Sequence, residues 1–327
     1  DGAVFAEVQS IALSLNRQGI LIGLCSKNNP GDVDEVIRTH PDMRLRDEHI
    51  AIRRINWSDK VSNLREMAQE LNLGLDSFVM VDDSPFEANL IKEQLPEVTV
   101  LQVTERLYEY PKMLRDNLGL FYNLSSTAED AKKAEMYKEQ ERRENSKQGF
   151  TDIKDYLASL GMKMIIYQDD KSIIPRMSQL TQKTNQFNLT TRRYTERDIE
   201  GFIEDEHAKV FAFSISDKFG DSGITGLGII RIGDDNCAVI DSFLMSCRVI
   251  GRDAEFAFMN CLIDYLKGRK VERVSAQFIR TQKNEQVTDF FDQCPLPLKG
   301  SSESEKNYSL NIKDYKPKQI DFMEIIY

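Results

Sequence analysis

Histidine is scarce in this 327-residue sequence, with His40, His49 and His207 its only three. A metal centre built of imidazoles is therefore not expected, and any metal should be a hard ion held by carboxylate oxygens. The five cysteines, Cys25, Cys237, Cys247, Cys261 and Cys294, are odd in number, widely spaced and without a CxxC pair, which argues against a disulfide framework or a structural zinc site. No run approaches the about 18 consecutive apolar residues that a membrane helix needs. The first residues also lack the basic, apolar and small-residue order of a signal peptide, so a cytoplasmic protein without membrane attachment is expected. Basic residues are not in excess: 43 Lys and Arg stand against 53 Asp and Glu, a net charge of −10, which gives no general attraction to nucleic acid. What is present, 41% hydrophobic and 29% charged residues, is ordinary for a folded protein. At about 100–200 residues per domain the chain is long enough for two.

In residues 3–17, Val4, Phe5, Val8, Ile11, Ala12 and Leu15 recur at helical spacing, and Gly19 then precedes the apolar stretch 20–25. The pattern predicts helix, turn and buried strand. Further helices are predicted over 32–40, 59–71 and 85–94, with strands over 78–81 and 98–103. In the third helix Val61, Leu64, Met67, Ala68 and Leu71 share one face. Strands alternating with helices imply a mostly parallel sheet covered on both faces, with ligands beyond the carboxyl ends of its strands. Residues 125–149 are highly charged with few apolar anchors, and are expected to form a linker helix capped by Ser125, Ser126 or Thr127. From residue 150 to 327 helices and strands mix differently: strands over 163–167, 210–216, 223–232, 238–245, 273–278 and 308–312, and helices over 153–160, 173–184, 254–267 and 284–291. This is the pattern of an α+β domain with an antiparallel sheet. The predicted domains are thus 1–124 and 150–327, joined by the linker.

Three chemical features of the first domain fall at or just beyond strand ends: Ser26 in LCSKN, Lys60 in NWSDK, and Asp82 with Asp83 in VMVDDSP. A hydroxyl, an ammonium and a carboxylate pair converging there are the parts needed to hold a phosphoryl group and Mg²⁺. Adjacent carboxylates repel unless a cation or donor compensates them.

In their order, Ser26, Lys60 and Asp82-Asp83 resemble motifs two to four of the haloacid dehalogenase (HAD) phosphohydrolase superfamily. The longer strings LCSKNN, NWSDK, LGLDSFVMVDDSP, KTNQFNLTTRRYT, FGDSGITGLG and FLMSCRVIGRDAE resemble the FkbH-like family over residues 5–295. That resemblance implies an α/β fold: a HAD-like, Rossmann-type parallel sheet without a large cap, followed by a domain similar to the GNAT acyltransferases. It also implies an activity. FkbH-like proteins of polyketide pathways take a glyceryl group from 1,3-bisphosphoglycerate, load it on the phosphopantetheine thiol of an acyl carrier protein, and remove its phosphate. HAD enzymes carry their nucleophile in a DxDx(T/V) motif at the end of the central strand, and no such motif precedes Ala3. A preceding segment with that first strand is therefore expected to be missing from this sequence. With it restored, the resemblance implies that the upstream Asp attacks phosphorus, Ser26 binds a phosphoryl oxygen, and Lys60 neutralises charge and orients the nucleophile. Asp83 would bind Mg²⁺ with Asp82 in support, and Asn28 would shape the loop. Trp57, the only tryptophan, is read as a packing residue beside this site.

GNAT proteins hold the coenzyme A pyrophosphate in a (Q/R)xxGx(G/A) loop at a helix N-terminus. The matching residues are Arg248, Val249, Ile250, Gly251, Arg252 and Asp253, so Arg248, Gly251 and Arg252 are the cofactor-binding candidates. Asp253 departs from the pattern by placing a negative charge where a small residue belongs. The ligand is left open between coenzyme A and the phosphopantetheine arm of a carrier protein. Thr184, Asn185, Gln186, Asn188, Thr190, Thr191, Arg192 and Arg193 form a polar segment expected to bind substrate or carrier. Cys247 has no histidine near it in sequence and is read as structural. The expected function is Mg²⁺-dependent phosphoryl and acyl transfer between a phosphorylated three-carbon metabolite and an acyl carrier protein. The alternatives are a small-molecule phosphatase and a catalytically silent carrier-binding module.

Overall fold

The structure is a computed structural model that describes residues 2–71, 73–121, 133–147 and 149–327. The chain divides into two compact units, the first ending at Glu144 and the second beginning at Asn145.

In the first unit, α1 (Gly2–Arg17), β1 (Ile22–Ser26), α2 (Pro30–Thr39), β2 (Ile50–Ile55), α3 (Lys60–Leu71), β3 (Val79–Asp82), α4 (Pro85–Gln94), β4 (Thr99–Gln102) and α5 (Tyr110–Asp116) follow in order. Strand β2 was not legible as an apolar run because Arg53 and Arg54 interrupt it. Their guanidiniums lie on its flanks, Arg53 paired with Asp34 and Asp47 and Arg54 with Glu66 and Glu70. The apolar stripe of α3 is buried as its spacing requires, with Val61, Leu64, Met67, Ala68 and Leu71 all inside. Val61, Leu64, Met67 and Leu71 pack with Ala51, Ile52, Ile91, Leu95 and Val98. Prolines at the first positions of α2 and α4 fit the helix start, where no amide donor is needed. Ser84 caps α4 by accepting the Glu87 N–H at 3.3 Å.

β1 pairs with β2 and β3 with β4, both in parallel, and among the described residues each pair is its own two-stranded sheet. β1 and β3 do not pair with one another. Val81 of β3 is 42% exposed, although strands of parallel sheets are usually covered on both faces.

Of the expected linker, residues 125–132 and 148 lie outside the described residues, and Lys133–Lys147 is α-helical.

The second unit is built on an eight-stranded sheet in the order β10-β11-β9-β8-β7-β6-β5-β12. These strands are β5 (Met162–Gln168), β6 (Ala208–Asp217), β7 (Gly220–Ile232), β8 (Cys237–Met245), β9 (Arg273–Ile279), β10 (Leu298–Ser301), β11 (Glu305–Asn311) and β12 (Met323–Ile326). The sheet is not wholly antiparallel: β8 with β9 and β5 with β12 run parallel. Helices Ile174–Lys183 and Glu196–Glu204 pack on one face through Met177, Leu180 and Ile199. On the other face helix Ala254–Gly268 packs through Phe258, Met259 and Leu262. Gly226 of β7 lies opposite Phe213 of β6, and a Cβ there would overlap the Phe213 ring; the close approach requires glycine. The helix expected over 284–291 is instead a 3₁₀ turn, Glu285–Val287, and a short helix, Phe290–Gln293.

Candidate functional site

The first candidate lies at the carboxyl ends of β1 and β3. The Asn56 N–H donates to the Ser26 carbonyl at 3.1 Å, which brings the loop before α3 beside the end of β1. In that loop Asp59 accepts the Ser62 N–H at 2.7 Å and caps α3, and this holds its carboxyl below the ordinary range. Asn56 and buried Asn63 exchange side-chain amide bonds at 3.1 and 2.9 Å. Lys60, the first residue of α3, is thereby aimed across at β3. Its Nζ donates to Asp82 Oδ2 at 2.5 Å, with side chains 12% and 1% exposed. Asp82 Oδ1 accepts the Ser84 N–H at 2.9 Å. Asp82, the last residue of β3, is buried, and Asp83, in the bend that follows, is exposed. Among the described residues the half-buried Ser26 hydroxyl and the Asp83 carboxylate enter no hydrogen bond or ion pair.

Several neighbours were missed by sequence reasoning. Lys27 donates to Glu87 Oε1 at 2.6 Å, and the other Glu87 oxygen is buried without a hydrogen-bond partner. A charged residue three positions after a helix cap is the only sequence signal for it. Cys25 is pushed up to about 11, first by burial and, against the opposing Lys60 charge, by the Asp82 and Glu87 carboxylates, so its thiol is no nucleophile near neutrality. Asn28 accepts its neighbour's N–H at 2.8 Å in an exposed turn. Trp57 corrects the packing expectation. It is 70% exposed, and its indole N–H donates to Asn29 Oδ1 at 3.2 Å.

No cluster of three or more His, Cys, Asp or Glu side chains suited to a metal occurs among the described residues. Asp82 is committed to Lys60, which leaves Asp83 as the carboxylate for a cation. Mg²⁺ accepts one protein carboxylate together with water and substrate phosphate oxygens, so this donor set fits it. The ion would neutralise phosphoryl charge there.

In the second unit, the polar segment is mostly turned to its own chain. Asn188 is wholly buried; its Nδ2 donates to Thr184 O at 3.1 Å and its Oδ1 accepts the Thr191 N–H at 2.8 Å. Thr190 Oγ1 donates to Asp241 O at 3.1 Å. Arg193 donates to the Thr181 and Thr184 carbonyls and to Asn185 Oδ1. Arg192 is bound to Asp241 Oδ1 at 2.5 Å. The Tyr194 hydroxyl donates to the other oxygen at 2.6 Å, and burial with the adjacent Asp241 pushes Tyr194 up to about 12. Gln186 Oε1 is buried without a partner. Asp241, a lone acid within the apolar strand AVIDSFLM, organises this cluster and was not singled out from the sequence.

The loop 248–253 is likewise drawn inward. Arg248 and Arg252 are 8% and 4% exposed, and Arg252 donates to Arg248 O at 2.8 Å and pairs with Asp217 at 3.3 Å. Gly251 has φ +82° and Asp253 φ +57°. Asp253 meets Lys318 Nζ at 2.9 Å.

No family model matches the chain, and no curated protein matches it. Among solved structures, its first part is similar to the N-terminal part of the protein BF1531 from Bacteroides fragilis, which contains a phosphatase domain and was determined with Mg. The two share 39% identity over 37% of this chain and 32% of that one, with a TM-score of 0.36. The match thus spans about a third of the length of that structure. The ribosomal-protein-S18-alanine N-acetyltransferase of Escherichia coli is 12% identical over 46% of this chain and 94% of its own, TM-score 0.36. The spermidine/spermine N-acetyltransferase SpeG of Vibrio cholerae, in mutant forms, is 13% identical over 46% and 95%, TM-score 0.37. The fold class is α/β, a unit of parallel strand pairs followed by an α+β unit on a mixed eight-stranded sheet. Among the described residues no helix is long and apolar enough to cross a membrane.

Proposed function

We propose that the protein is a HAD-type phosphoryl-transfer enzyme whose chemistry lies at the carboxyl edge of the first unit. The observation that carries this reading is the Lys60–Asp82 pair, 2.5 Å long and nearly buried, beside the unengaged Ser26 and Asp83. Such a pair fixes an ammonium where the oxygens of a phosphoryl group would converge, while the exposed carboxylate remains for Mg²⁺. The residues of this sequence in that reading are Ser26 and Lys60 on the phosphoryl oxygens and Asp83 on the cation.

The substrate we propose is a glyceryl unit derived from 1,3-bisphosphoglycerate, and the acceptor the thiol of an acyl carrier protein, with loss of phosphate. The FkbH-like strings around Ser26, Lys60 and Asp82-Asp83 support it, as does a site edge without a large cap, which suits a substrate borne on a protein. The test is mass spectrometry of intact carrier protein after incubation with the full-length protein, Mg²⁺ and 1,3-bisphosphoglycerate. A glyceryl adduct is expected, lost when Asp83 is replaced by Asn. Free phosphate over an unmodified carrier would overturn the transferase reading in favour of a small-molecule phosphatase.

A further inference from the structure

Strands β8 and β9 pair only through Cys237–Ile240 and Arg273–Ala276. Beyond that point they part, and parting in mid-sheet leaves main-chain donors and acceptors that must find partners. An extended chain bearing amides, such as a pantetheine arm, could supply them in the manner of an added strand.

Here the chain supplies them itself. The Leu189 N–H donates to Phe243 O at 3.1 Å, the Met245 N–H to Phe187 O at 2.9 Å, and the Ile279 N–H to Leu189 O at 2.8 Å. Residue 188 forms a bridge with Leu244, so the segment bonds to β8 on one side and β9 on the other. Asn284, wholly buried, closes the gap from below by donating to Asn188 O at 2.9 Å and Ile279 O at 2.8 Å. Phe187 and Leu189 are 3% and 0% exposed, and the Phe187 ring meets that of Phe290 edge-on with centroids 5.4 Å apart. This is core packing, and an apolar segment bonded on both sides is not a loose lid.

Two acids stand at the helix end that should receive phosphates. Asp253 precedes helix Ala254–Gly268, and Glu255 lies in its first turn, 9% exposed with Oε2 lacking a hydrogen-bond partner. Phosphate oxygens brought there would meet two carboxyl groups at the place where the helix favours one anion. Lys318 does not reverse this, because it is paired with Asp253 and lies 3.7 Å from the centroid of the Phe256 ring. Arg252 faces Asp217 in the interior.

We infer that the second unit takes up neither coenzyme A nor a phosphopantetheine arm: residues 187–189 fill the gap between β8 and β9, and Asp253 and Glu255 place two carboxyl groups at the helix end. The unit keeps a GNAT-like frame with its cofactor cleft occupied by its own chain. A carrier protein's thiol is then served elsewhere than in this cleft. The inference does not depend on phosphoryl chemistry in the first unit, and its test measures none.

Coenzyme A, acetyl-coenzyme A and phosphopantetheine, each at millimolar concentration, are titrated into the intact protein by calorimetry and followed by amide hydrogen exchange. The expected result is that exchange across 185–193, 243–256 and 277–285 is the same with and without each compound, and that the Leu189, Met245 and Ile279 amides exchange as slowly as those of β7. Saturable binding that alters exchange in any of those segments would overturn the inference. So would fast exchange of those three amides in the protein alone.

Discussion

Replacing Lys60 with Met removes the ammonium while keeping the bulk of the stem. It leaves Asp82, its side chain 1% exposed, with only the Ser84 N–H at 2.9 Å. Removing one partner from a buried ion pair typically costs about 3–5 kcal/mol, since the other charge stays buried without compensation. The retained Ser84 bond and the slight exposure of Lys60 place this variant at the low end, about 3 kcal/mol, or roughly a hundredfold in the folding equilibrium. Asp82→Asn should cost less, because an amide is neutral and still accepts from Ser84. In the double variant neither charge is stranded, so about 2 kcal/mol of the summed loss should return as coupling. The assay is a urea titration of the four proteins, read by exchange of amides in β2 and β3, so that unfolding of the first unit is followed separately from the second. Single losses that simply add, with coupling below about 0.5 kcal/mol, would refute the reasoning. The pair would then be no more than a surface contact, and its placing of the ammonium would not hold.

Burial raises the Glu255 carboxyl from 4.5 to about 7, so the stability linked to it is full below pH 4.5 and is lost as pH rises through about 7. The loss is about 3 kcal/mol; a Glu255→Gln variant should lack that slope in urea midpoints, and an unchanged slope would place the titrating group elsewhere. Trp57, at 70% exposure, should emit at long wavelength and be quenched freely by iodide, whereas shielded, short-wavelength emission would restore the packing reading. Gly226→Ala should destabilise the second unit by about 2–3 kcal/mol, because its Cβ would overlap the Phe213 ring in a closed core, and an unchanged urea midpoint would show that the ring can move aside.

The parts of the fold legible in the sequence are those with a single period. Helix α3 declared its inner face because Val61, Leu64, Met67, Ala68 and Leu71 follow the helical repeat and nothing else competes. Strand β2 did not, because Arg53 and Arg54 project from a strand that is otherwise apolar, and the acids pairing with them lie on other elements. Order and spacing named Ser26, Lys60 and Asp82-Asp83 together, but the burial of Asp82 against Lys60 is a tertiary fact. Trp57 misled for a related reason: a large aromatic is usually packed, and no residue near it in sequence signals that its face stays open.

The segment 184–193 shows a deeper limit. Asparagine, threonine and arginine offer the same donors and acceptors to a ligand as to the backbone of their own chain, so composition alone does not separate a binding loop from a self-bonded one. The separation comes from asking which polar groups are already matched. In the second unit Arg192 meets Asp241, Arg252 meets Asp217, and Lys318 meets Asp253. Each of these three cations is answered by an acid of the same unit. At the edge of the first unit, by contrast, the Ser26 hydroxyl and the Asp83 carboxylate, among the described residues, enter no bond, beside an ammonium held in place by a buried partner. A half-buried hydroxyl at a strand end without an internal partner is open to one from outside, which is why we propose the phosphoryl chemistry for the first unit.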